Sequence, residues 1–212
     1  IRDSIYLGDT MKKLVVIITI LILFIPKVNA STSSASSYIL MDSTTGRVLM
    51  SKDMHSKRLI ASITKIMTAT LAIESGKLND VVEVSPIIKE AYGSGIYIEV
   101  GEEITLKDLV YGLMLRSGND AAMMISEYIG GTTEEFVNMM NKKAKELGMK
   151  ETTFYNPSGL PTPSGNYSSA YDMALLTKYA MNSPVYQEIV KTKTYKVTTN
   201  KKTYLWHLSL IH

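Results

Sequence analysis

The chain reads as an α+β domain, and three observations predict it. Strand-like runs open the ordered pattern, apolar residues at helical spacing fill its middle, and strand-like runs return near its end. Strands and helices do not alternate, so βαβ units around a parallel sheet are not the expected arrangement. A length of 212 residues gives enough chain for one sizeable core and too little for two large ones. Hydrophobic residues make up 45% and charged residues 20%, which argues against a disordered, collagenous or coiled-coil chain.

The elements follow in order. Tyr38-Ile39-Leu40-Met41-Asp42 and Arg47-Val48-Leu49-Met50 flank Ser43-Thr44-Thr45-Gly46, which predicts a hairpin. From Ser62 to Ser75 the apolar residues Ile63, Ile66, Met67 and Leu71 recur as on a helix, closed by Gly76. Thr105, with Asp108 three residues on, opens a second helix whose buried stripe is Leu106, Leu109, Val110, Leu113 and Met114 and which ends near Arg116-Ser117-Gly118. A third helix is predicted from about Asp120 to Ile129. Thr132 followed by Glu135 is a capping box for a fourth, with Phe136, Met139, Met140 and Leu147 inward and Gly148 as its stop. Pro157, Gly159, Pro161, Pro163 and Gly165 mark Met149 to Tyr167 as a long ordered loop. Helical spacing resumes from Tyr171 to Met181, and Lys193 to Thr199 with Thr203 to Trp206 predict a last hairpin around Asn200-Lys201-Lys202.

The N-terminus carries a targeting pattern. Met11, Lys12 and Lys13 precede an apolar run from Leu14 to Ile25, then Pro26 and the small-residue end Val28-Asn29-Ala30. Residues 11–30 are therefore read as a secretory signal peptide cut after Ala30. The apolar run would reach only about 18 Å at 1.5 Å per residue, short of a hydrocarbon core of roughly 30 Å. Residues 1–10 are read as an upstream extension, residues 31–37 as a mobile Ser-rich tail, and the expected location is extracytoplasmic. Of the formal net charge of +3, residues 1–30 hold +2, and no run of like charge could track a phosphate backbone, so no nucleic-acid partner is expected. The absence of Cys excludes disulfides and thiolate nucleophiles.

Ser62-Ile63-Thr64-Lys65 is the one Ser-x-x-Lys of the chain, at the expected start of a helix. Positions i and i+3 share a helix face, so the Lys65 amine can reach the Ser62 hydroxyl. A neutral amine can take the proton that makes a serine nucleophilic, and nearby backbone N–H groups can stabilise an oxyanion. The plainer reading makes Ser62 an N-cap and Lys65 a solvated side chain. Ser117-Gly118-Asn119 lies between two predicted helices, where Gly118 permits a tight turn and a hydroxyl and a carboxamide stand side by side. Ser-x-x-Lys followed by Ser-x-Asn is the opening of the motif set of penicillin-interacting serine enzymes.

The run Ala61 to Thr68 closely resembles the D-alanyl-D-alanine carboxypeptidases of the low-molecular-weight penicillin-binding proteins. So do Gly101-Glu102-Glu103, Ser117-Gly118-Asn119-Asp120-Ala121, Asn156-Pro157-Ser158-Gly159-Leu160 and Ala170-Tyr171-Asp172-Met173-Ala174. The resemblance implies a β-lactamase/transpeptidase-like fold over residues 38–206 and action on peptidoglycan stem peptides ending in D-Ala-D-Ala. By position, Ser62 would attack the carbonyl of the penultimate D-Ala, Lys65 would act as base, Ser117 would relay a proton to the leaving D-Ala, and Asn119 would orient the substrate amide. β-Lactams would trap Ser62, and no cofactor is implied.

The family's third motif, Lys-Thr-Gly, does not occur. Lys191-Thr192-Lys193 has Lys in place of Gly and precedes Tyr195-Lys196-Val197, which in the family comes before the true motif. Residues 207–212 resemble nothing in the family, so the expectation is a chain truncated near Trp206, with the C-terminal sheet strands and any peripheral membrane association lost. In the family that strand supplies a cation and a hydroxyl for the substrate carboxylate and an oxyanion donor, and one such donor is worth about 10²- to 10³-fold in rate. An inactive or poorly folded polypeptide follows as an expectation. Two alternatives stand beside the carboxypeptidase. A class A β-lactamase would need a deacylating glutamate, for which Glu151 is nearest, and has Asp where Gly118 stands. The other is a non-catalytic muropeptide- or penicillin-binding fragment. His55, His207 and His212 lack ligand spacing, so no metal site is expected. Glu102-Glu103 and Glu134-Glu135 are expected to be solvated, and Met123, Met124, Met139 and Met140 to pack in the core.

Overall fold

The computed structural model describes residues 11–17, 33–161 and 164–208. It divides into two units, Ile1–Ala35 and Ser36–His212. In the first, residues 11–17 are helical. The upstream extension, the remainder of the signal-peptide reading, residues 31–32 and the end of the tail with His212 lie outside the described residues. No described helix is long and apolar enough to cross a membrane.

The second unit begins with the expected hairpin. Strands β1 (Tyr38–Met41) and β2 (Val48–Lys52) pair antiparallel, with Tyr38 opposite Lys52. Asp42 Oδ1 accepts from the Thr45 N–H and hydroxyl, both at 2.6 Å, and Gly46 takes φ +78° to close the turn. Three more two-stranded antiparallel sheets follow: β3 (Arg58–Leu59) with β6 (Tyr167–Ser168), β4 (Val81–Glu83) with β5 (Glu103–Thr105), and β7 (Thr194–Thr198) with β8 (Thr203–His207). The first two of these pairings join distant segments and were not among the expected elements. The last hairpin runs through His207, one residue beyond the expected domain boundary.

Six helices form the body: α1 (Lys65–Glu74), α2 (Leu106–Arg116), α3 (Asn119–Gly130), α4 (Thr133–Glu146), α5 (Ala170–Ala180) and α6 (Pro184–Lys191). Thr105, Thr132, Ser169 and Ser183 cap α2, α4, α5 and α6 by accepting the backbone N–H three residues on. Helix α6 was not expected, although Ser183-Pro184 is a cap followed by proline at the first helical position. Met67, Ala69, Leu71 and Ala72 bury α1 nearly all round, and it touches the other five helices. Phe136 and Met140 of α4, Leu109 and Leu113 of α2, Met124 and Ile125 of α3 and Phe154 complete the core. Met124 and Met140 are fully buried there, while Met123 and Met139 are half-buried.

The helix expected from Ser62 is instead a 3₁₀ turn, Ala61–Thr64, leading into α1. The loop that follows Asn156 packs directly against this turn. A Cβ on Gly159 would lie 1.9 Å from the Ala61 carbonyl oxygen, and Ala61 itself takes φ +43°. Ser62 is therefore inside the turn and caps nothing, which corrects the plainer reading of that residue.

Candidate active site

Four segments meet at Lys65. Its Nζ donates to Asn119 Oδ1 at 2.8 Å and to the Ser158 carbonyl at 2.7 Å, and it lies 3.3 Å from Ser62 Oγ. Lys65 is only 3% exposed, which corrects the solvated alternative, whereas Ser62 faces solvent. Burial pulls the Lys65 amine down to about 8, against the opposing charge of Asp120. A neutral lysine has two N–H donors and one lone pair. Asn119 and Ser158 take two of the Lys65 donors; as an ammonium it donates the third to Ser62 Oγ, and as a neutral amine it would turn its lone pair to that oxygen.

Each partner is fixed from a distance. Asn119 opens α3, where its Nδ2 donates to the Tyr92 carbonyl at 2.6 Å and its N–H to the Ser94 carbonyl at 2.8 Å. Asp120 accepts from the backbone N–H groups of Ile96 and Tyr97 at 2.7 to 3.1 Å. Ser117 ends α2 in the left-handed region, φ 54°, half-buried and two residues before Asn119. The tight turn expected at Gly118 takes its positive φ at Ser117, while Gly118 itself has φ −61° and is closely packed, since a Cβ there would meet Asp120 Oδ1 and Ile96 Cγ2 at 3.0 Å. The Ser117 hydroxyl enters none of the cluster's hydrogen bonds, so the structure brings Ser62, Lys65 and Asn119 together and leaves Ser117 alongside.

The Ser158 carbonyl belongs to a loop that sequence reasoning quoted but gave no role. Asn156 Oδ1 gathers the N–H groups of Ser158 and Gly159, and its Nδ2 donates to the Leu160 carbonyl. The buried Asn166 accepts from the N–H groups of Tyr155 and Asn156 and donates to Thr64 Oγ1 and the Asn156 carbonyl. Thr68 Oγ1 donates to the Pro157 carbonyl at 2.6 Å. The loop is thus bound to both sides of the turn that carries Ser62, and its proline- and asparagine-rich composition was the available signal.

The carboxylates divide. Glu103, Glu134 and Glu135 are exposed, but Glu102 is completely buried, which corrects its expected solvation. Consecutive side chains on an extended segment point opposite ways, and Glu102 points to donors almost a hundred residues away. Glu151 contributes its N–H to Asp172. His55 is exposed beside Tyr171, and no group of three or more metal-ligating side chains occurs among the described residues.

Comparison with known proteins follows the same lines. Residues 26–210 match the model of peptidase family S11, described as D-alanyl-D-alanine carboxypeptidase. The chain is 45% identical to the D-alanyl-D-alanine carboxypeptidase DacF of Bacillus subtilis over 181 residues, covering 81% of this chain and 46% of that one. It is 36% identical to DacC of Escherichia coli over 188 residues, covering 82% and 46%. The crystal structure of a D-alanyl-D-alanine carboxypeptidase from Mycobacterium tuberculosis superposes with a TM-score of 0.79 at 29% identity, covering 82% of this chain and 66% of that one. The chain spans about half the length of the curated relatives it matches. The fold is the β-lactamase/transpeptidase-like one, and the class A β-lactamase alternative gains no support from these likenesses. With the family match extending over most of its residues, the chain belongs to the D-alanyl-D-alanine carboxypeptidases of peptidase family S11.

Proposed function

We propose that the protein is a serine-type D-Ala-D-Ala carboxypeptidase that trims the terminal D-Ala from peptidoglycan stem peptides outside the cytoplasm. The observation that carries the reading is the buried Lys65 amine, held by Asn119 and Ser158 with Ser62 Oγ as its remaining neighbour. In the proposed reaction the neutral amine takes the Ser62 proton as Oγ bonds to the penultimate D-Ala carbonyl carbon. The tetrahedral intermediate collapses, its C–N bond breaks, and the departing D-Ala amine receives a proton through Ser117. Asn119 orients the substrate amide. Water then attacks the ester, releasing the shortened peptide and returning the proton to Ser62. β-Lactams present the same acyl group without a leaving fragment that departs, so they would remain on Ser62. The Met11–Ala30 pattern supports export, and any peripheral membrane association belongs to the same proposal.

Incubation of the full chain with a fluorescent penicillin, followed by intact-mass and peptide mapping, tests the reading. A covalent adduct on the peptide containing Ser62, absent in Ser62→Ala, and release of D-Ala from a diacyl-tripeptide are the expected results, both slower by about 10²- to 10³-fold than with the oxyanion donor that the missing Lys-Thr-Gly strand brings in the family. Binding of muropeptide without an adduct or D-Ala release would support the non-catalytic alternative instead.

A further inference from the structure

Glu102 is a fully buried carboxylate that the proposed reaction does not use. Its Oε1 accepts from Thr199 Oγ1 at 2.5 Å, and its Oε2 accepts from the Glu99 N–H and from Tyr204 Oη, both at 2.8 Å. Two of these donors come from the β7–β8 hairpin and the third from the segment leading to β5. The same hairpin reaches further along that segment. Lys202 Nζ donates to the Tyr97 carbonyl at 3.1 Å and pairs with Glu99 at 2.7 Å, while Lys201 Nζ donates to the Val100 carbonyl at 2.5 Å. The hairpin is seated on the helical body by Tyr195, stacked on Tyr111 at 3.7 Å.

The clamped segment is also the one that holds the site. The Tyr97 carbonyl is tied to the hairpin, and the Tyr97 N–H, with that of Ile96, is bound by Asp120. Tyr97 is held at φ +59°, a strained backbone for a residue other than glycine, and persists there because both of its peptide groups are fixed. Upstream, the Tyr92 and Ser94 carbonyls take the two donors of Asn119. A buried carboxylate is costly unless hydrogen-bonded, so losing Glu102 leaves the Glu99 N–H without its acceptor and leaves Thr199 and Tyr204 only their longer bonds to the Lys202 and Tyr97 carbonyls, at 3.1 and 3.2 Å.

We propose that Glu102 is a positioning residue for the Ser62–Lys65–Asn119 site: it locks the Ile96–Glu99 backbone to the β7–β8 hairpin, and that backbone, through Asp120, sets the first turn of α3 that presents Asn119 to Lys65. The inference rests on the reading of Ser62 as the acylated nucleophile and Lys65 as its base. Its effect differs from that of a mere structural brace because Lys65 owes its lowered protonation point to burial, and Asn119, whose placement depends on this backbone, is one of the groups in direct contact with the amine.

The test compares Glu102→Ala and Glu102→Gln with the unaltered full chain. Gln can accept from Glu99 and Tyr204 with its oxygen, which keeps two of the three ties, while Thr199 keeps the Lys202 carbonyl as its acceptor. Three quantities are read: amide hydrogen exchange at Ile96 and Tyr97, the Lys65 protonation midpoint followed by NMR at its Cε, and the pH profile of acylation by a fluorescent penicillin. In Glu102→Ala, exchange at both amides is expected to quicken by about 10-fold or more, because their local opening no longer breaks the clamp. Water entering beside Lys65 raises its midpoint by about one pH unit, and acylation near pH 7 falls by about 10-fold. Glu102→Gln keeps all three within about 3-fold of the unaltered chain.

Unchanged exchange in Glu102→Ala overturns the proposal. So does faster exchange with an unmoved Lys65 midpoint, which would leave Glu102 as an anchor of the hairpin alone. Should Glu102→Ala fail to fold, Tyr204→Phe removes one donor from Glu102 and is read for the same three quantities, with smaller shifts in the same direction expected and no shift fatal. Absence of an adduct in the unaltered chain would overturn the acylation reading, while exchange and the Lys65 midpoint would still judge Glu102.

Discussion

The turn that carries Ser62 and the β1–β2 hairpin are both short, early segments, yet they are held to different degrees. The turn at Ala61–Thr64 is tied to residues far along the chain: Thr64 to Asn166, Lys65 to Asn119 and Ser158, and Thr68 to Pro157. The hairpin is held mainly by its own turn at Asp42–Gly46 and by strand pairing, with β1 packed on α5 and one long-range hydrogen bond from Lys178 Nζ to the Thr44 carbonyl at 3.3 Å, and Leu40, Leu49 and Met50 remain about half exposed. The difference shows where accuracy is needed. Local hydrogen bonds make an element, but only long-range polar bracing fixes one side chain against another to within a hydrogen bond.

The largest expected effect is at Lys65. Lys65→Met removes the proposed base and leaves Asn119 and Ser158 without their donor, and acylation of Ser62 should fall by about 10³-fold, about 4 kcal/mol in barrier. In the unaltered chain the acylation rate should rise with pH through about 8, since the amine must be neutral to act. Stability carries the same sign. The unfolded lysine keeps its proton to about 10.4 while the folded one yields it near 8, so between those values the unfolded state binds more protons and stability rises with pH. The rise is about 3 kcal/mol in total and should be missing in Lys65→Met, as measured by urea unfolding at pH 7.5 and 10. A flat pH profile of acylation in the unaltered chain would remove Lys65 from the role of base.

The next effect lies in the loop. Gly159→Ala places a methyl group at a position only 1.9 Å from the Ala61 carbonyl, on a backbone with φ +88°. The clash is with main chain and cannot be relieved by a rotamer change. A loss of about 3 kcal/mol is expected, with slower acylation of Ser62 because the turn shifts. Asn166→Ala strips four hydrogen bonds from the same junction and should cost about 2 to 3 kcal/mol. Thermal unfolding of both variants checks the order. A loss below that of a typical surface substitution would mean that the loop does not brace the turn.

How much was legible in the sequence follows the same division. The hairpin was legible because Thr44-Thr45-Gly46 between apolar runs is a local signal, and Thr105 and Thr132 announced their helices because caps act within three residues. Ser62 and Lys65 could be paired from their spacing alone. What supports them could not. The β3–β6 pairing joins Arg58 to Ser168, and each strand is two residues long, too short to leave a periodic trace. Glu102 looked like half of a solvated acidic pair because its donors, Thr199 and Tyr204, are adjacent only after folding. Helix α6 was missed for its eight residues rather than for want of a cap.

The smallest effect returns to the hairpin and gives the comparison its control. Leu49 and Met50 lie on β2 with about half of their surface open to water, so replacing either by Thr removes little buried apolar area and adds a residue that favours strands. Each substitution should change stability by no more than about 0.5 kcal/mol and leave penicillin acylation of Ser62 unaltered. Equal losses at Leu49 and Gly159 would mean that the hairpin is braced as tightly as the turn. A near-zero value at Leu49 beside several kcal/mol at Gly159 would locate the fold's rigidity at the junction of the Asn156 loop and the turn that carries Ser62, where the proposed chemistry requires it.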